Sequence, residues 1–200
     1  MYIEYDNIDD YAAKVDNAYR VGNFELVRFM FTTFIDEETT YEGGFEFSMI
    51  MQSILNSLCT RDYDRGEYVI RRGFDVNYVK DICNSIQERI SKSDIADRHL
   101  VDIYACLAYA WRTLGDMDKY NKYKKMAFDS ADRIIKQEPF EAMSYMRKVN
   151  ICNQLSDDED IGKQMLNKAS QLLATDEDKE EYSTYCEGCY HTYRLWKIRG

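Results

Sequence analysis

The stretch Ala108-Tyr109-Ala110-Trp111-Arg112-Thr113-Leu114-Gly115-Asp116-Met117-Asp118-Lys119-Tyr120 decides the fold. Up to Leu114 its apolar residues continue a segment that holds Ile95, Leu100, Ile103 and Leu107. Their three- and four-residue steps place them on one face of a helix. Gly115 ends that helix, because a residue without Cβ adopts the left-handed backbone conformation at little cost. A second helix follows at once over about 116–138, with Tyr120, Tyr123, Ala127, Ala131, Ile134 and Ile135 inside it. Pro139, fixed in φ and lacking an N–H, opens the next one. So short a turn makes the two helices antiparallel neighbours.

The same grammar extends in both directions. Val76, Val79, Ile82, Cys83, Ile86 and Ile90 draw one apolar stripe, with Asp75 ahead of it as an N-cap whose carboxylate accepts from the first-turn amides. Asp94 is a candidate cap for the helix that runs to Leu114. Toward the N-terminus, Asn7 to Val21 and Asn23 to Ile35 read as two helices hinged at Gly22. Residues 43–60 read as an apolar helix beginning at Gly43-Gly44, and 62–72 as a shorter one closed by Gly73. Asp157-Asp158-Glu159-Asp160 reads as a helix N-terminus, where negative charge complements the dipole. An EF-hand loop would need a turn glycine and a glutamate at offsets this sequence does not supply. Asp176-Glu177-Asp178 repeats the device before a final helix over about 178–198. The expectation is an all-α chain of about ten helices joined by short turns.

Regular hairpins invite a search for internal repeats. In Ala108–Glu141, Trp111 is followed by Leu114 and Gly115, then by Ala127 and Pro139. This unit resembles a tetratricopeptide repeat, a helix–turn–helix pattern that places Trp, Leu-Gly, Ala and Pro at these offsets. Ala131 stands where that family often has Phe, and the aromatic after the glycine is displaced to Tyr120. Ala18-Tyr19-Arg20-Val21-Gly22-Asn23-Phe24-Glu25 echoes the first half of a unit, and 142–174 has repeat-like length without the Leu-Gly pair. The resemblance implies one domain over 1–200, built as a right-handed superhelical stack of antiparallel hairpins, with 178–198 as a C-terminal capping helix.

Composition agrees with a helical domain and excludes several classes. In 200 residues, 45% are hydrophobic and 14% aromatic, enough to bury a core, while one proline and nine glycines argue against a many-turned β-sandwich. The longest apolar runs fall far short of a membrane span. The first ten residues lack the basic region and apolar stretch of a signal peptide, which points to the cytoplasm. The net charge is −10, with −8 over 1–60, +2 over 61–137 and −4 over the rest. Such a balance repels phosphate backbones, so nucleic-acid binding is not expected.

No constellation calls for catalysis or a cofactor. Cys186, Cys189 and His191 offer half of a zinc site, yet no second Cys or His pair completes four ligands. On a helix the two cysteines share a face with Tyr182 and Tyr193, which packing explains. Cys59, Cys83, Cys106 and Cys152 make up the six, and an apolar setting such as Ser57-Leu58-Cys59 suits a buried free thiol better than a disulfide. Neither His99 nor His191 is tied by spacing to a nucleophile and an acid, and no phosphate-binding glycine loop occurs.

The expected role is therefore a non-enzymatic protein–protein interaction module: an adaptor, chaperone-like holder or regulatory subunit that takes a protein or peptide on a concave helical surface. In the tetratricopeptide family the first helix of each unit lines that surface. Carried onto the matched unit, this gives Tyr109, Arg112, Asp116 and Lys119 as partner-binding residues, with Arg112 or Lys119 available to a carboxylate. The acidic N-terminal third suits a partner with a basic region. The alternative is an acidic inhibitor or immunity-type protein that blocks a basic active site or nucleic-acid-binding surface.

Overall fold

Gly115 and Gly22 carry the same hinge. In the computed structural model, which describes residues 8–36, 45–62, 65–92, 95–155 and 158–173, both have φ near +75°. At the first hinge the Gly22 N–H donates to Tyr19 O and the Asn23 N–H to Ala18 O; at the second, Gly115 donates to Arg112 O and Asp116 to Trp111 O. These paired bonds satisfy the last carbonyls of the preceding helix. The residue after each glycine then caps the following helix: Asn23 Oδ1 accepts from Leu26 N–H at 3.2 Å and Asp116 Oδ1 from Lys119 N–H at 3.1 Å. One Gly-Asx dipeptide thus closes one helix and opens the next.

The elements in order are α1 (Ile8–Arg20), α2 (Phe24–Asp36), α3 (Phe45–Leu58), β1 (Cys59–Asp62), β2 (Glu67–Ile70), α4 (Val76–Lys92), α5 (Asp97–Thr113), α6 (Met117–Gln137), α7 (Ala142–Leu155) and α8 (Glu159–Leu172). The described residues form eight helices, against the ten or so expected. One of the missing two, 178–198, lies outside the described residues. The other is a correction: 62–72 is not a helix but the greater part of a β-hairpin. β1 pairs antiparallel with β2 in the register Cys59↔Ile70, Thr60↔Val69, Arg61↔Tyr68 and Asp62↔Glu67. Tyr68-Val69-Ile70 is an aromatic and β-branched run that suits a pleated strand. Asp62 Oδ1 accepts from the Arg65 N–H at 3.2 Å and Gly66 takes φ +68°, the chemistry of a turn. α3 accordingly stops at Leu58, two residues before the expected end.

Asp75 caps α4 as expected, its Oδ1 accepting from Tyr78 N–H at 2.9 Å. Of the stripe behind it, Val79, Ile82, Cys83 and Ile86 are buried, while Val76, at the first helical position, is exposed. α5 starts at Asp97 behind Ala96, which offers no side-chain cap; Asp94 lies outside the described residues.

Helices pack in antiparallel pairs, α1 with α2, α5 with α6 and α7 with α8. Across pairs, α1 touches α3, α3 touches α5 and α5 touches α7, so the odd-numbered helices form one row; α2 packs on α4. Ala127 and Ala131 are fully buried where α6 lies against α5. Trp111, Phe31, Ile54 and Leu107 belong to a main core that runs from α1 into α7. A smaller cluster, including Met146, Val149 and Leu166, joins α7 to α8. The hairpin lies against α5 and replaces, between α3 and α4, the tight hinge used elsewhere.

Candidate functional site: a carboxamide-lined cleft

The four residues singled out in the sequence do not converge on one open surface. Tyr109 is half-buried, its ring edge-on to Tyr68 of β2 at 5.0 Å between centroids. One turn on, Arg112 donates from Nη1 to Leu155 O at 2.7 Å and lies over the rings of Tyr68 and Tyr120 at 4.3 and 5.3 Å. Asp116 is spent as the α6 cap. Lys119 turns the other way, its Nζ 3.6 Å from the centre of the Trp111 ring and 3.4 Å from Asn84 Oδ1 on α4. Arg112 thus joins α5 to α7 and the hairpin, Lys119 lies against α5 and α4, and Tyr109 borders a cavity.

That cavity, of about 360 Å³, opens where α3, α5, α7 and the hairpin meet. α3 contributes Gln52 and Asn56, α5 contributes Cys106 and Tyr109, and α7 contributes Asn150, Asn153 and Gln154. The hairpin side adds Thr60, Arg61 and Arg71. Among the described residues, the lining thus includes five carboxamide residues and two arginines and no carboxylate.

A mutual network fixes the floor. Gln154 donates from Nε2 to Cys106 Sγ at 3.1 Å and to Asn56 Oδ1 at 3.4 Å, and the Cys106 thiol donates to the same Asn56 oxygen at 3.5 Å. Three helices are tied at one point. Burial pushes the Cys106 thiol up to about 12 despite these amides, so it stays protonated and acts as a hydrogen-bonding group rather than a nucleophile. Burial likewise raises Cys59 and Cys152 to about 11 and Cys83 further. All four are buried free thiols, as their apolar sequence setting suggested.

Arg71 is held by its own Nε, which donates to Cys59 O at 3.3 Å. It also borders a second cavity of about 200 Å³ between α1 and α3, with Asp16, Tyr19, Ser53 and Ser57. Arg71 is thus common to the linings of both cavities. The carboxyl of Asp102 on α5 is raised by burial against the opposing pulls of Arg147, 3.0 Å away, and of Asn150.

Among the described residues, no group of three or more His, Cys, Asp or Glu side chains is placed to hold a metal. Cys186, Cys189 and His191 lie outside the described residues. No described helix is long and apolar enough to cross a membrane. No family model, curated protein or solved structure matches this chain.

Sequence reasoning found Tyr109 and missed the other lining residues. Gln52 and Asn56, or Asn150 and Gln154, are four apart and read as ordinary polar helix faces. Only the packing of α3 beside α5 beside α7 brings positions some hundred residues apart to one wall.

Proposed function

We propose that this chain is a non-enzymatic binding module that receives a segment of a protein partner on the face formed by α3, α5, α7 and the hairpin. The observation that carries this reading is the cleft itself: three odd-numbered helices side by side, each presenting a carboxamide, thiol or phenol to the same space. Carboxamides donate and accept at once, and so match the alternating N–H and C=O groups of an extended backbone. The repeated Gly-Asx hinge at 22–23 and 115–116 supports a tetratricopeptide-like stack with α1, α3, α5 and α7 inward. The β-hairpin is a departure from that pattern and supplies the far wall. Four buried free thiols suit a reducing compartment, and we place the protein in the cytoplasm.

The two guanidiniums direct the cleft toward an acidic or neutral segment, so a partner with a basic region would meet the acidic N-terminal third instead. The test is a photo-crosslinking residue placed at Asn153, at the cleft, and at Lys136, on the exposed side of α6, in cells of the native host. Capture of one defined protein from Asn153 and not from Lys136 is expected. Equal, heterogeneous capture from both positions would overturn the reading.

A further inference from the structure

We infer that the cleft between α3, α5, α7 and the hairpin selects its segment by a carboxamide side chain, that of an asparagine or glutamine; this rests on the reading of the face as a segment-binding surface. The cavity of about 360 Å³ lies at the small end of the range for whole ligands, about 300–1,000 Å³. Such a space takes a side chain inserted from a backbone that crosses the mouth.

The floor network leaves a specific remainder. Gln154 Nε2 donates to Cys106 Sγ and to Asn56 Oδ1, and Cys106 Sγ donates to that same Asn56 oxygen. A primary amide has one oxygen and one nitrogen with two hydrogens. Gln154 therefore keeps its Oε1 acceptor and Asn56 its Nδ2 donor, and neither atom is engaged elsewhere among the described residues. Gln52, one turn before Asn56 on α3, donates from Nε2 to Ser48 Oγ at 2.9 Å and likewise keeps Oε1. All three residues line the cavity. One donor and two acceptors remain, each assigned by the bond at the other end of its own amide.

A carboxamide complements that set. It donates two hydrogens from one nitrogen and accepts at one oxygen, the mirror of two acceptors and one donor. A carboxylate would pair with Asn56 Nδ2 and set its oxygens against those of Gln52 and Gln154. An ammonium or guanidinium would pair with the two acceptors and oppose Nδ2. A hydroxyl has a single hydrogen to give, and a thioether leaves polar atoms unpaired once water is displaced. The N–H and C=O of one trans peptide unit point in opposite directions, whereas a primary carboxamide carries both along one edge.

The experiment pans a displayed library of short random peptides against the full chain. Enriched peptides are then titrated into isotope-labelled protein, with the side-chain amide resonances of Gln52, Asn56 and Gln154 followed by NMR. Enrichment of Asn or Gln at one fixed position is expected, with saturable shifts of these three amides. Replacing that residue by its acid or by Met should weaken binding by at least about tenfold. N56D retains the oxygen that the floor uses and trades the donor for an acceptor; Asn56 is exposed, so the melting temperature should not change. This variant should lose at least about tenfold for the amide peptide and bind its Lys version more tightly than the unaltered chain does. Peptides that shift the three amides yet tolerate the acid or Met at every Asn and Gln would overturn the carboxamide selection and leave the segment-binding face standing. If no enriched peptide shifts them, both fall. Undiminished binding of the amide peptide to folded N56D, or tighter binding of free glutamine than of any peptide, would also overturn the proposal.

Discussion

The guanidinium of Arg112 lies 4.3 Å over the ring of Tyr68, and both residues donate to the same acceptor, the carbonyl of Leu155 at the end of α7, at 2.7 and 3.0 Å. A helix ends with carbonyls that lack intrahelical partners, and here two side chains from other elements satisfy one of them. Strand, helix α5 and helix α7 are thereby bolted together beside the cleft. R112M keeps the aliphatic stem and removes the donor, and is expected to cost about 1–2 kcal/mol; Y68F should cost about 1 kcal/mol. Because they share an acceptor, the double variant should depart from additivity by at least about 0.5 kcal/mol. Urea denaturation of the four proteins in the cycle measures this, and strict additivity would count against the shared latch.

Gly73 provides a steric test of how α4 is entered. Its φ is +94°, and a Cβ built there falls 2.2–2.5 Å from three ring atoms of Phe24. That ring is hemmed by Tyr19 and Phe74 at 5.5 and 6.4 Å between centroids, so it has little room to yield. G73A should lose about 3 kcal/mol or more, combining backbone strain with overpacking. At Gly115, also at positive φ but with open space around it, alanine should cost only about 1–2 kcal/mol. Thermal melts of the two variants give the comparison, and equal losses would contradict it.

Trp111 is 1% exposed, yet its indole N–H meets no acceptor among the described residues. Among the described residues this donor has no hydrogen bond to lose. W111F should therefore cost only the smaller packed volume and the altered face beneath Lys119, about 1–2 kcal/mol. W111A should cost about 3–5 kcal/mol. A W111F loss as large as that of W111A would show that the indole nitrogen is paired after all.

His99 sets a pH dependence. It is buried, its carbonyl accepts from Ser48 Oγ at 2.8 Å, and its Nε2 accepts from Arg98 Nε at 3.2 Å. Burial, then the charges of Arg98 and Arg147, hold its pKa below 6.5. The unfolded chain therefore binds this proton more readily than the native one. The stability tied to the neutral ring is complete above 6.5 and is lost as pH falls from there through the depressed native value. One such group gives a slope of at most about 1.4 kcal/mol per pH unit. Substituting H99Q should flatten the stability profile over that interval and leave it unchanged above neutrality. Denaturation series between pH 5 and 8 would reveal it, and parallel profiles for the two proteins would refute it.

How far the sequence could be read follows from the range of the interactions involved. The Gly115 and Gly22 hinges are local: glycine, the acidic or amide residue after it, and the apolar periodicity on either side all fall within one short window. Both helix pairs were legible for that reason. The hairpin was less so, because Arg61, Asp62, Arg65 and Glu67 carry a charge pattern equally at home on a helix. Tyr68-Val69-Ile70 behind Gly66 was the signal that favoured a strand. Its loss had a consequence for the site. Without Tyr68 in place, Arg112 reads as a solvent-facing cation, whereas in the fold it has a ring beneath it and a carbonyl ahead of it. The cleft depends on contacts between α3 and α7 across roughly half the chain, and nothing in the spacing of Asn56 and Gln154 announces that they touch.

No spacer separates α3 from the strand that follows it: Leu58 is the last helical residue and Cys59 the first extended one. The helix therefore sets the rotational phase in which the strand departs. Side chains on a strand alternate between its two faces, so one inserted residue at this junction would carry Thr60 into the place of Arg61 and strip a cation from the cleft. Insertions and deletions in proteins descended from a common ancestor with this one should then collect between Asp62 and Glu67, where the chain reverses, and spare the Leu58–Cys59 step.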